Sequence, residues 1–157
     1  MDSRFNILIQ KHKEINKLKD EIFELSKDLF SKATEEIFDK YHRVKSFTWT
    51  QYTSYTKGVF IANVCDIKIN GELVDQSDWI NPDIIIGQGA WNKEKKIFEN
   101  MKIVPNAKYD SEMSEASNEI INFLSYFDDD FYLDQFGDHA EVVITKDGVN
   151  IHEYDHE

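Results

Sequence analysis

Residues 4–42 run without a single Gly or Pro and are rich in Lys, Glu and Leu, so nothing in the stretch stops an α-helix once it has started. Within it Leu8, Ile15, Leu18, Ile22, Leu25 and Leu29 fall on the a and d positions of consecutive heptads, the seam along which helices pair. One helix over 4–42 would approach 60 Å at about 1.5 Å per residue. That is long for a chain of 157 residues, a length that predicts one domain. The helix must therefore fold back, protrude or pair with another chain. Phe23, Phe30, Phe38 and Tyr41 lie off the seam, which predicts that the C-terminal half packs against the body. An ordinary core helix and a homodimeric coiled coil through the six seam residues both fit this pattern.

Past the helix the period changes. Residues 47–55 (FTWTQYTSY) are dense in β-branched and aromatic residues and read as a strand. Thr56-Lys57-Gly58 turns it into a second strand over 59–69, and Asn70-Gly71 is a strong hairpin signal leading into 72–74. A three-stranded antiparallel meander is expected. Residues 75–92 mix turn residues with Ile84-Ile85-Ile86, a short buried strand or loop anchor, and 93–101 suggest a short helix ending before Pro105. Ser111 is placed to cap a second helix through Phe127, with Met113, Ala116, Ile120, Phe123, Leu124 and Phe127 at helical spacing. With a C-terminal hairpin, these elements predict one α+β domain over 1–157, divided into the helix, the 46–109 meander and connection, and a 110–157 helix-plus-hairpin third.

Charge narrows the function. The chain has 18 basic and 30 acidic residues, net −12, opposite to what direct phosphate binding requires. The asymmetry lies in residues 110–157, where fourteen Asp or Glu face Lys146 alone, while the two earlier parts are nearly neutral. Because Phe131, Tyr132 and other aromatics are interleaved with these carboxylates, a folded acidic face is implied rather than a tail. Such a face is either solvated surface or a dock for a basic protein. No apolar run is long enough for a membrane span, and the N-terminus lacks a signal-peptide core, so a cytoplasmic location without a membrane partner is expected. Cys65, the one cysteine, fits a reducing compartment and reads as a buried, inert thiol.

Asp147-Gly148 between alternating segments predicts a type I′ hairpin in which Lys146 faces Val149, Ile144 faces Ile151, Glu141 faces Tyr154 and His139 faces His156. Ala140, Val142, Ile144, Val149 and Ile151 then share a core face. His139, Glu141, His152, Tyr154 and His156 share the wet one. His152 to His156 spells HExxH, but that zinc motif needs a helix, and in a strand the two histidines stand about 13 Å apart. His139, Glu141, His152 and His156 remain weak candidates for a divalent ion held across the strands. Asp128-Asp129-Asp130 reads as a helix-exit loop rather than a two-metal centre, and Gly87-Gln88-Gly89 lacks the ending of a phosphate loop. No serine sits in a nucleophile elbow. An enzyme is not expected, and no cofactor is implied.

Two blocks carry a resemblance: residues 46–55 (SFTWTQYTSY), and Phe136-Gly137-Asp138-His139 followed by Asp147-Gly148 and Glu153-Tyr154-Asp155-His156. Together they resemble small acidic proteins encoded by bacteriophages and prophages, with a departure after Tyr55, where Thr56-Lys57-Gly58 replaces a longer turn. The resemblance implies a phage accessory protein acting in the host cytoplasm and brings no catalytic residues. The resulting expectation is a non-enzymatic protein that inhibits a host defence or nucleic-acid-handling protein through an acidic surface. The partner-facing residues would be Asp128, Asp129, Asp130, Tyr132, Asp134, Asp138, Glu141, Glu153, Tyr154 and Asp155, a charge mimic of nucleic acid at most. The alternatives are an oligomerising module built on the N-terminal helix, and a metal-binding protein or metal-dependent enzyme using the hairpin histidines.

Overall fold

The computed structural model describes residues 3–56, 59–87 and 89–155. The chain is α+β. Helix α1 (Ser3–Lys40) leads into strands β1 (Ser46–Thr56), β2 (Val59–Ile69) and β3 (Glu72–Leu73). Short strands β4 (Asp83–Ile86), β5 (Ala90–Asn92), β6 (Ile97–Glu99) and β7 (Lys102–Pro105) follow, then α2 (Ser111–Ser125), α3 (Asp129–Phe136), β8 (Ala140–Thr145) and β9 (Gly148–Glu153). The meander and the terminal hairpin join edge to edge into one five-stranded sheet, β3-β2-β1-β8-β9, antiparallel at every pairing.

The centre of that sheet is β1, whose Phe47, Trp49 and Gln51 are fully buried at alternate positions. All three helices meet this face. Phe38 of α1 stacks on Phe47 at 5.7 Å between ring centroids, Phe123 of α2 reaches Phe47 at 6.4 Å, and Phe136 of α3 reaches Trp49 at 5.2 Å. Asn70 and Gly71 take positive φ of 52° and 84°, the pair of left-handed residues a type I′ turn requires. The Asn70 side chain accepts from the amides of Lys45 and Ser46 and donates to the Arg43 carbonyl, tying the meander to the exit of α1.

Four expectations change. The segment 93–101 is not a helix but the β5–β6 hairpin, because the Asn92 side chain accepts from the Glu94 and Lys95 amides and Lys96 takes a positive φ of 52°. Ile84, Ile85 and Ile86 form a strand paired with β7, yet all three are exposed rather than buried. The cap of α2 is Asp110, one residue before Ser111, and its carboxylate accepts from the Met113 amide. Asp128 to Asp130 do not leave a helix but start one: Asp128 caps α3 by accepting from the Phe131 amide, and Asp129 and Asp130 occupy its positive first turn.

The hairpin turn also sits one residue early. Neither Lys146 nor Asp147 takes a positive φ, so the expected left-handed pair is absent, and Gly148 alone does so at 137°. The Thr145 hydroxyl accepts from the Asp147 amide and donates to the Gly148 carbonyl, drawing Thr145 and Gly148 into register. Ile144 therefore faces Val149, and Glu141 faces His152. A displacement of two residues keeps every side chain on its expected face. The face is only half covered, however: Ala140, Val142 and Ile144 are buried, while Val149 and Ile151 on the edge strand β9 stay exposed. The expected Thr56-Lys57-Gly58 turn lies at residues 57 and 58, outside the described ones.

Candidate interaction surfaces

Helix α1 does two jobs with two faces. Its body-facing stripe begins at the partly buried Phe23 and continues through Phe30, Ile37 and Phe38. Every described residue before Phe23 is exposed. Lys19, Asp20 and Ile22 still border a cleft with Asp128, Asp130 and Phe131, so about 24 Å of helix, residues 3–18, stands clear of the body at ~1.5 Å per residue. The heptad seam lies roughly 120° around the helix from that stripe, at the 100° per residue of an α-helix. Leu8, Ile15, Leu18, Ile22, Leu25 and Leu29 are 48% to 61% exposed, and Phe5, Ile7 and Ile9 add apolar surface in the first turns of the helix. None of the six is buried in the core, although Ile22 borders a cleft with Phe131 and Leu29 one with Phe123.

At its body end the seam runs into a cleft of about 620 Å³ between α1 and α2, lined by Leu29, Ala33, Ile37, Phe123, Tyr126 and Phe127 and rimmed by Glu36, Glu115 and Glu119. Tyr126 is 81% exposed there. A polar cluster closes the far end of this helix pair: the Tyr41 hydroxyl donates to Glu119 at 2.6 Å and Glu115 at 3.1 Å, and Lys40 reaches Glu119 at 2.6 Å. Lys40 and then Tyr41 hold the Glu119 carboxyl below its ordinary range, while burial and then Glu119 push Tyr41 up to about 12.

The acidic residues do not form one face. Glu112, Glu115 and Glu119 are answered by Arg43 and Lys40, and Asp110 is held below its usual value by Arg43. Asp138 latches the sheet, accepting from the Thr53 amide at 2.7 Å and hydroxyl at 2.5 Å. Burial works to raise its carboxyl, and these donors outweigh it. Glu141 lies 3.5 Å from Lys68 on the sheet face opposite the helices. Asp128 is spent on capping α3. Asp129, Asp130, Asp134, Glu153 and Asp155 are exposed, and Tyr154 is half-buried with its amide donating to the His139 carbonyl.

Tyr132 is a correction. Expected as a surface anchor, it is 2% exposed in the core, with its hydroxyl donating to the Leu124 carbonyl, and burial raises its pKa well above the ordinary phenol. Cys65 is likewise not buried but half-exposed, 3.2 Å from the Thr50 hydroxyl. The metal alternative gains nothing: His139 sits beside Asp138 and His152 opposite Glu141, His156 lies outside the described residues, and among those described no group of three His, Cys, Asp or Glu is placed to hold an ion.

The blocks that carried the resemblance prove to be two sides of one joint. Trp49 Nε1 donates to Gln51 Oε1 at 2.9 Å, and Gln51 Nε2 donates to the carbonyls of Gly137 at 2.5 Å and Tyr132 at 3.0 Å. With the Thr53–Asp138 contact beside it, the WTQYT strand is bolted to the FGDH segment. These residues hold the fold together.

A second exposed apolar element was missed from sequence. β5–β6 extends the β4–β7 ribbon into an arm over 83–105 whose Ile85, Trp91, Phe98 and Ile103 are all more than half exposed. Gly87, with φ of 103°, lets the backbone pass close to Asn100, since a Cβ there would lie 2.4 Å from the Asn100 carbonyl oxygen. The root is held by Asn106, whose amide side chain donates to the Asp78 and Asn81 carbonyls, and by Ser114 donating to that of Ile80. The signal was present in the clustering of Trp91, Ile97 and Phe98 between polar residues.

The described chain contains no helix long and apolar enough to cross a membrane. Compared with family models, curated proteins and solved structures, the chain matches none of them.

Proposed function

We propose that this is a non-enzymatic assembly module, in which the α+β body anchors α1 and the exposed seam of α1 joins the protein to another apolar-faced helix. The single observation that carries this reading is the contrast along α1: one stripe supplies Phe30 and Ile37 to the core, while six Leu and Ile on another stripe stay about half or more exposed. Burying a Leu or Ile side chain contributes on the order of 1.5–3 kcal/mol, so a six-residue seam gains considerably from a partner. Leu18→Glu combined with Leu25→Glu tests it. Light scattering should show wild type heavier than one chain and the variant at the mass of one chain, with an unchanged tryptophan spectrum, to which the buried Trp49 contributes. A wild type that stays a single chain at all accessible concentrations overturns the reading.

The charge of residues 110–157 and the resemblance to phage-encoded acidic proteins favour a second reading, in which the assembled bodies dock on a basic surface of a host nucleic-acid-handling or defence protein. Exposed carboxylates on α3 support it, though only Asp129, Asp130 and Asp134 can be varied without removing the Asp128 cap. Asn at those three positions should slow association with a partner captured from host lysate and flatten its salt dependence. An unchanged association rate and salt slope would leave the acidic surface with no part in docking.

A further inference from the structure

We infer that the seam of α1 is covered by α1 of a second copy of this chain, parallel and in register, as a two-stranded coiled coil. The inference rests on the assembly reading above and names its partner and geometry.

Three observations point the same way. The first is the side-chain alphabet of the seam. The two central a positions are Ile15 and Ile22, flanked by Leu8 and Leu29 at the outer ones, and Leu18 and Leu25 occupy d positions, all about half exposed. β-branched residues at a with Leu at d favour two parallel strands over three or four.

The second is charge. The g positions are Ile7, Glu14, Glu21 and Asp28, and the e positions are Phe5, His12, Lys19 and Ser26. In a parallel pair each g position faces the e position of the next heptad on the other helix, which sets Glu14 opposite Lys19 of the second copy, twice by symmetry. An antiparallel pair sets g against g and e against e. With Arg4 brought to the level of Leu29, Glu14 would then face Glu21, and His12 would face Lys19. Lys11, at the remaining d position, pairs with Glu14 of its own helix at 2.9 Å and forms the one polar layer between Leu8 and Ile15. In register, that layer meets its equal and its aliphatic stem still packs. Any shift sets it against an apolar layer, so it selects the register.

The third is continuity with the body. Leu29 closes the seam and also lines the α1–α2 cleft, where Tyr126 stands 81% exposed. A parallel partner carries its own Leu29–Ala33 turn to this level and covers Tyr126. An antiparallel one would bring Arg4 and Phe5 there instead.

The experiment is site-directed cross-linking in full-length protein carrying Cys65→Ser, with Leu8→Cys or Leu29→Cys as the only cysteine in each variant and light scattering run in parallel. Mild oxidation should convert most of each variant, separately, to a species of twice the chain mass on a non-reducing gel. Both ends of the seam must cross-link to themselves. An assembly heavier than one chain in which neither variant cross-links alone overturns the parallel register while leaving the assembly reading intact. A mass of three or more chains overturns the two-stranded form. A wild type at the mass of one chain overturns the inference together with the reading on which it rests.

Discussion

Replacing Gln51 with Leu will cost about 3–5 kcal/mol of folding stability, although Leu is close to Gln in size and more apolar. Three polar groups meet at that side chain, the buried Trp49 Nε1 and Tyr132 carbonyl and the part-buried Gly137 carbonyl, and Leu satisfies none of them. Each buried group left without a partner costs roughly 1–3 kcal/mol. Against a typical total of about 5–15 kcal/mol this is a large share. Urea unfolding followed by tryptophan fluorescence checks it through the shift in midpoint at constant slope. A loss under 1 kcal/mol would mean that the joint between β1 and the 136–139 segment contributes little.

The second large effect separates the two faces of α1. Phe30 is the hub of the aromatic core, with ring centroids of Phe123, Phe127, Phe131 and Phe136 at 5.1, 5.4, 5.7 and 5.4 Å and that of Trp49 at 6.2 Å. Phe30→Ala should cost about 3–5 kcal/mol, the usual range for truncating a buried aromatic. Leu18→Ala lies on the same helix and removes a residue that the body never touches. At concentrations low enough to hold the chain single, it should change stability by no more than the roughly 0.5 kcal/mol of an exposed site. Chemical denaturation of the two variants side by side decides this. Comparable losses would mean that the exposed seam is part of the core after all.

The elements that could be recognised from sequence were those specified by neighbours along the chain. α1 needed only an uninterrupted period with no breaker, and the β2–β3 turn needed only Asn70-Gly71. The division of α1 into seam and body stripe was also legible, because Phe23, Phe30 and Phe38 depart from the heptad. What escaped depends on partners far away. No local pattern indicates that β1 pairs with β8, some ninety residues on, and that pairing is what buries Gln51. Tyr132 looked like surface because carboxylates surround it in sequence. On a helix those neighbours point elsewhere, and its ring goes inward. Asp128 to Asp130 looked like a loop because aspartate is common there, yet the same chemistry caps helices, and only the aromatic run after it distinguishes the two. Of the expected partner-facing residues, Tyr132 is buried, Asp128 caps α3 and Asp138 latches the sheet. A carboxylate's sequence context does not reveal which amide it will find.

Because α1 is one unbroken helix, its inner half acts as a template for its outer half. The costly step in making a helix is the first turn, and here the core has already supplied it at Phe30 and Ile37, so residues 3–22 need only propagate outward. Propagation without tertiary support is close to balanced, and among the described residues none in the first turn of α1 is acidic to favour it. The outer half should therefore lengthen when its seam is covered and fray from Ser3 inward when it is not. The molecule's extent in solution then becomes a readout of its concentration.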